Sequence, residues 1–316
     1  MISRSPFFRP VLLAVVLLGV LAGLRFLLRP RESVHAKEVL KVGYLPVTCH
    51  LTCPVTDFAT RTSTRTRFES QRFTDFPSAA EAFKSGRLEA SFFIAPLAMK
   101  LREQGVPAKI VYLGHRDGST LIVQKDGPVH SLEDLKGKVF AIPSKYSNQY
   151  LVLRKLLEYK GVSPDSLRFV ELAPPEMPAA LAAKAIDAYF VGEPHAAKAE
   201  LAGTGRVLYH AKDIWPHFIS CDLVRGISES GEWAETHCLE AARLVAPYFR
   251  QDEGLLRFVL TQPPNRVSYR MLTPTDEEMQ AIEEMALKAG ILSKPILISD
   301  LLDRSFIPSE ILPAKF

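Results

Sequence analysis

Short apolar runs, each closing on a proline, recur along this chain in a fixed order. Val42-Gly43-Tyr44-Leu45-Pro46 is matched by Val139-Phe140-Ala141-Ile142-Pro143. Further on, the stretch from Leu88 to Ala98, with Phe92-Phe93-Ile94-Ala95-Pro96 inside it, is matched by Ile186 to Ala196, with Phe190-Val191-Gly192-Glu193-Pro194. The offset is about 97 residues in both cases, and self-similarity at a fixed spacing signals repeated architecture. In each copy an apolar strand leads through a helix-rich stretch to an acidic residue and a second apolar strand. The pattern predicts an α/β protein of two similar lobes, each a mixed sheet flanked by helices. A cleft between them would lie at the carboxyl ends of the strands.

Start and stop signals divide each copy further. In the first, residues 39–45 read as a buried strand. Ser78-Ala79-Ala80-Glu81 reads as a capping box whose helix ends at Gly86. Phe92 to Ile94 and Lys109 to Leu113 read as strands, and Ser119 to Gln124 as a strand leaving the lobe. In the second, a short helix starts at Ser131, Val139 to Ile142 is a strand, and Ser147 to Tyr159 is a helix closed by Gly161. Leu167 to Leu172, Ala188 to Val191 and Arg206 to His210 are further strands, with a helix opening at Pro194. From Ile214 there is no third copy. Phe218 to Val224 reads as a strand, and Glu232 to Phe249 and Thr275 to Ala289 as amphipathic helices, the last capped by Thr275 and ended by Gly290. This segment is expected to return to the first lobe, with two hinge crossings near residues 120–126 and 208–214. The expected division is residues 37–120 with 213–316 as lobe 1 and 121–212 as lobe 2.

The amino terminus changes the charge picture. Arg4 and Arg9 precede an apolar run from Val11 to Leu24, and Val34-His35-Ala36 offers a small-residue cleavage site. This is the form of a secretory signal peptide over residues 1–36. The run is shorter than the ~20 residues of a spanning helix, although Phe26 to Leu28 extend it past Arg25, so an uncleaved anchor in the cytoplasmic membrane is the alternative. Residues 1–36 hold five arginines and one glutamate, so the formal +4 of the whole chain falls to zero without them. A neutral body offers no footprint for nucleic acid.

Two loops stand where a strand gives way to a helix: Pro46-Val47-Thr48-Cys49-His50, and its copy Pro143-Ser144-Lys145-Tyr146-Ser147-Asn148. Free N–H groups at helix starts bind anions. Thr48, Ser144 and Ser147 would add hydroxyls and Lys145 a positive charge; equally, these hydroxyls would simply cap their helices. Ala95-Pro96 and Gly192-Glu193-Pro194 are the second matched pair of strand ends. Glu193 and His195 would face the cleft, or Glu193 would make a hinge-side salt bridge. Ser119 and Cys221 complete the candidate lining.

The chain after its signal resembles the periplasmic substrate-binding proteins of ABC importers of the nitrate/sulfonate/taurine/bicarbonate class, and the related NMT1-like proteins. The resemblance rests on Lys41-Val42-Gly43-Tyr44-Leu45-Pro46, on residues 90–98, on Gly192-Glu193-Pro194, on Asp213-Ile214-Trp215-Pro216 and on the tail from Ala289 to Phe306. It implies the two-lobed periplasmic-binding-protein fold of type II. It also implies a periplasmic monomer that closes on a small polar or anionic solute and delivers it to a membrane permease. Nitrate-type members tend to carry an aromatic residue after Gly-Glu-Pro; His195 departs from that, so nitrate itself is not carried over.

Other chemistry is thin. Cys49 and Cys53 lie four apart, and Cys221 and Cys238 make the number of thiols even, so three pairings or buried free thiols stay open. The spacing fits neither a c-type haem site nor a common zinc framework. No dinucleotide fingerprint, nucleophile elbow or zinc-protease helix is present, and no cofactor or metal is expected. His115-Arg116-Asp117-Gly118 reads as a turn between strands. The thiamin-pyrimidine synthases share this scaffold, and Cys49-His50 is the feature that keeps such an enzyme as an alternative; an anchored solute sensor is another.

Overall fold

The computed structural model describes residues 38–61, 66–214, 219–221 and 226–305. The expected signal segment with its cleavage site, Trp215 and the side chain of Cys221 lie outside what is described. β1 (Glu38–Tyr44) is the centre of a parallel triad with β2 (Thr66–Arg72) and β3 (Ala90–Ser91), in the order β2-β1-β3. β4 (His115–Asp117) is followed at once by β5 (Ser119–Gln124), the first strand of a second sheet. β6 (Val139–Ile142), β7 (Arg168–Glu171), β8 (Ala188–Gly192) and β9 (Gly205–His210) complete it, in the order β7-β6-β8-β5-β9. β10 (Ile219–Cys221) and β11 (Val267–Ser268) then flank β4 in a small antiparallel sheet.

The sequence repeat is a repeat of topology. β1 lies between two parallel neighbours, and so does β6: Val42 aligns with Ser70 and Ala90, and Phe140 with Phe169 and Ala188. β6 and β8 read as unbroken apolar runs because parallel strands are covered on both faces, and Phe140, Tyr189 and Phe190 are fully buried. Each such side chain contributes roughly 1.5–3 kcal/mol by leaving water. β2 escapes sequence reasoning for the opposite reason. It is an edge strand in which Arg67, Glu69, Gln71 and Arg72 are polar and Phe68 is the buried anchor.

The chain passes between sheets within one residue of β4. Asp117 and Gly118 both have left-handed backbone, with φ of 61° and 69°. A Cβ on Gly118 would stand 2.9 Å from His115 Cε1, so glycine is required there. The expected turn at His115–Gly118 is therefore a buried strand whose turn is confined to its last step, just ahead of the expected crossing at 120–126.

Four further expectations shift. The helix expected from Ser78, Phe76–Lys84, starts before that residue, because Asp75 is its N-cap and accepts the Ser78 amide at 2.8 Å. The expected strand at Phe92–Ile94 has its ladder pairing just before it, at Ala90–Ser91. Lys109 to Leu113 forms no ladder, only an isolated bridge from Ile110 to Leu302. The expected helix Glu232–Phe249 is two, Gly226–Thr236 and Cys238–Phe249, broken at His237. The helices Asn148–Tyr159 and Asp276–Lys288 stand as read, capped by Ser147 and by a Thr275/Glu278 capping box. No helix among the described residues is long and apolar enough to cross a membrane.

Candidate functional site

The carboxyl ends of β1, in the first copy, and β8, in the second, run into each other. After β1 the chain turns through Leu45 to Val47 into a single turn of 3-10 helix, Thr48–His50. The Thr48 amide donates to the Glu193 carbonyl at 2.6 Å, and its hydroxyl reaches the same oxygen at 3.2 Å. The Tyr269 hydroxyl, from just beyond β11, donates to the Thr48 carbonyl at 2.9 Å. Cys49 Sγ packs over Gly192, where an added Cβ would lie 3.6 Å from the sulfur. Ser119, aligned with Gly192 across the β5–β8 ladder, accepts from Gln149 Nε2 at 3.0 Å.

The Glu193 side chain turns away from this junction into a buried clasp. One oxygen accepts from Arg266 at 2.7 Å and from the Thr120 hydroxyl at 2.8 Å; the other accepts the Ala197 amide at 2.9 Å, capping the helix His195–Leu201. Burial pushes the Glu193 carboxyl above its ordinary range, and Arg266, the Ala197 amide and Thr120 pull it back. Arg266 also holds Glu200 at 3.0 Å. Its carbonyl takes the Gly118 amide, and the Gly118 carbonyl takes the Glu193 amide, each at 2.8 Å. The clasp thus pins the point where the chain changes sheet, and the Glu193 carboxylate is engaged in a buried salt bridge. Arg266 and Tyr269 escaped the sequence reading because they follow a Pro-Pro turn with no counterpart in the repeat.

His195 stands apart. It is 1% exposed and neither ring nitrogen has a hydrogen-bond partner. Burial drives its pKa down to about 4; the Pro46 carbonyl and Cys49 oppose this, while Lys198 and Arg72 add to it. Near neutral pH the ring is neutral, with one donor and one acceptor to offer.

The remaining candidates divide. Thr48, Cys49, Ser119, Asn148, Gly192 and His195 are buried around the junction. His50 is buried too, but its Nδ1 accepts the Leu45 amide at 2.7 Å and its ring packs on Phe92 and Phe76. The hydroxyls of Ser144 and Ser147 serve their own turns, accepting from Tyr146 and Tyr150. Ala95 and Pro96 open a helix within the core. Lys145 is exposed, with its amide on Glu171 at 3.0 Å, so its charge does not join the buried cluster. Ser144 and Tyr146 instead face Phe76, Lys84 and Leu97 across a groove of about 200 Å³. Cys53 and Cys238 are free thiols, and burial pushes the Cys53 thiol up. Among the described residues no three His, Cys, Asp or Glu side chains gather as a metal site.

Known proteins share this architecture. The model of the NMT1-like family matches residues 34–247. A putative binding protein of Brucella abortus is 32% identical over 120 residues, 38% of this chain and 36% of that protein. The chain thus matches little more than a third of that relative's length. The zinc-bound ligand-binding component of an ABC-type import system from Staphylococcus aureus is 26% identical, with a TM-score of 0.77 over 85% of this chain and 98% of that one. The periplasmic nitrate-binding protein of Synechocystis PCC 6803 is 12% identical, with a TM-score of 0.78 over 87% and 91%. At that identity the likeness shows the fold alone, the mixed α/β fold of two-lobed periplasmic binding proteins.

Proposed function

The chain belongs to the NMT1-like family, and from that premise we propose that it is the solute-capturing component of an ABC-type import system. On this reading residues 37–120 with 213–316 form one lobe and 121–212 the other, and a small polar or anionic solute is held where they meet. The protein works outside the cytoplasmic membrane, exported by residues 1–36, and hands its solute to a permease as a monomer.

The observation that carries the reading is the meeting of the two copies. Two parallel triads present their carboxyl ends to each other, joined by Thr48 and Glu193 and pinned at Gly118 by the Arg266 clasp. The contacts of Thr48 can break and reform while the clasp stays closed, which is what hinge closure requires. Binding without chemistry is favoured by His50, whose Nδ1 is held by the Leu45 amide and is not directed at Cys49.

The test is a solute panel of nitrate, bicarbonate, methanesulfonate, taurine and a thiamin-precursor pyrimidine. A solute that binds only the native state adds RT ln(1 + [L]/Kd), about 2.7 kcal/mol at a hundred times Kd. The expected result is a raised Tm with a smaller radius of gyration by small-angle scattering. A raised Tm with unchanged dimensions would contradict closure.

A further inference from the structure

Arg72 is a guanidinium that the fold leaves unanswered. It ends β2, in register with Tyr44 at the end of β1, so it stands on the edge from which the Pro46–His50 loop departs. Its Nε is shielded from solvent and has no hydrogen-bond partner, and Arg72 makes no ion pair with a described residue. The buried arginines are matched: Arg116 with Glu278 at 2.6 Å, Arg266 with Glu193 at 2.6 Å. Asp57, on the helix packed against β2, is already engaged: one oxygen takes the Ser70 amide at 2.8 Å, the other Arg61 at 3.4 Å. A lysine in such a place can shed its proton, whereas arginine cannot. Arg72 as a whole is half-buried, and an anionic group arriving from outside would give its unpaired Nε a charged partner.

His195 supplies the second, independent observation, from the other copy. It is buried, both ring nitrogens lack partners, and it opens the helix just after Glu193, whose carbonyl takes the Thr48 amide of the same loop. We propose that Arg72 and His195 are the two poles of an anion subsite: a carboxylate, sulfonate or smaller oxyanion pairs with the guanidinium and accepts the imidazole N–H. The proposal rests on the solute-binding reading and narrows it to a solute with a negatively charged oxygen group. It moves the cation of the site from Lys145, on the second copy, to Arg72 on the first. The neutral ring suits the role, since it donates one hydrogen bond without a second charge to desolvate. Arg72 lowers the pKa of His195 through space; the other groups acting on the ring are Lys198 on its own helix and Cys49 and the Pro46 carbonyl from the loop.

The experiment uses calorimetry on the processed protein, with acetate, methanesulfonate, nitrate and bicarbonate set against the uncharged acetamide and methanesulfonamide. At least one anion is expected to bind and both neutral probes to fail. Arg72→Gln should weaken the anion by about ten- to a hundred-fold, the worth of a charge-assisted hydrogen bond. Arg72→Lys should fall between, and serves if the glutamine variant does not fold. In the free protein, Arg72→Gln should also raise the pKa of His195 in an NMR titration. Parental Kd in both Arg72 variants, or a neutral probe binding as tightly as its anion, overturns the subsite and leaves the solute-binding reading standing. Failure of every probe, charged or neutral, on the parent protein overturns both.

Discussion

Replacing Glu193 by glutamine is the sharpest probe of the joint between the two copies. The change keeps the shape and removes one charge from a pair in which both side chains are about 1% exposed or less. Breaking a buried ion pair from one side typically costs about 3–5 kcal/mol, because the surviving charge is left uncompensated. Here Arg266 keeps Glu200 at 3.0 Å, and Glu200 is one-third exposed, so the lower end, about 3 kcal/mol, is expected. Glutamine can still accept from Thr120 but cannot neutralise the guanidinium. In urea, with a slope near 3 kcal/mol per molar for a chain of this size, the midpoint should fall by about 1 M with the slope unchanged. The double variant Glu193→Gln/Arg266→Met removes the orphaned charge and should recover at least about 1 kcal/mol of the loss. Burial and Arg266 push the carboxyl in opposite directions, so the outcome also reports its charge. A loss below about 1 kcal/mol from Glu193→Gln alone would mean that the carboxyl is protonated and that the clasp is not ionic.

Two other outcomes follow from the same geometry. Burial holds His195 at about pKa 4 against an ordinary 6.5, so the unfolded chain takes up a proton in that window while the native ring does not. Stability present above pH 6.5 should be lost as pH falls toward 4, by about 1.4 kcal/mol per unit and about 3 kcal/mol in all. Denaturation of His195→Gln across the window should lack that slope; an unchanged acid limb would refute the assignment. Lys145→Ala should leave both Tm and solute affinity within about 0.5 kcal/mol of the parent, as for an exposed side chain without partners. A ten-fold loss of affinity would return the cation of the site to the second-copy loop.

The repeat was legible in the sequence because both copies carry the same apolar blocks, and the parallel triads around β1 and β6 follow from it. The buried run of β8 and the caps at Ser147 and Thr275 were legible for local reasons, apolar length and hydrogen-bonding side chains at helix starts. What escaped lacks such signals. β2 is polar at every position but Phe68 and lies at the edge of its sheet, so it shows no apolar pattern and Arg72 at its end drew no notice. Arg266 and Tyr269 meet Glu193 and Thr48 across 73 and 221 positions of sequence, a contact that no local pattern encodes. The same holds for Glu193, whose carboxylate reads equally well as ligand-facing or hinge-facing until Arg266 is placed beside it. Lys145 drew attention through its loop, yet the Glu171 carboxylate takes its amide and its side chain points to solvent.

The measurement that bears most directly on the central claim is native mass spectrometry of the protein released intact from its own cell envelope. The account predicts one small molecule per chain, retained under native conditions, released on denaturation, and carrying a negatively charged oxygen group. A chain that emerges bare, and whose Tm none of the panel solutes raises, would contradict the reading of this protein as a solute-capturing one.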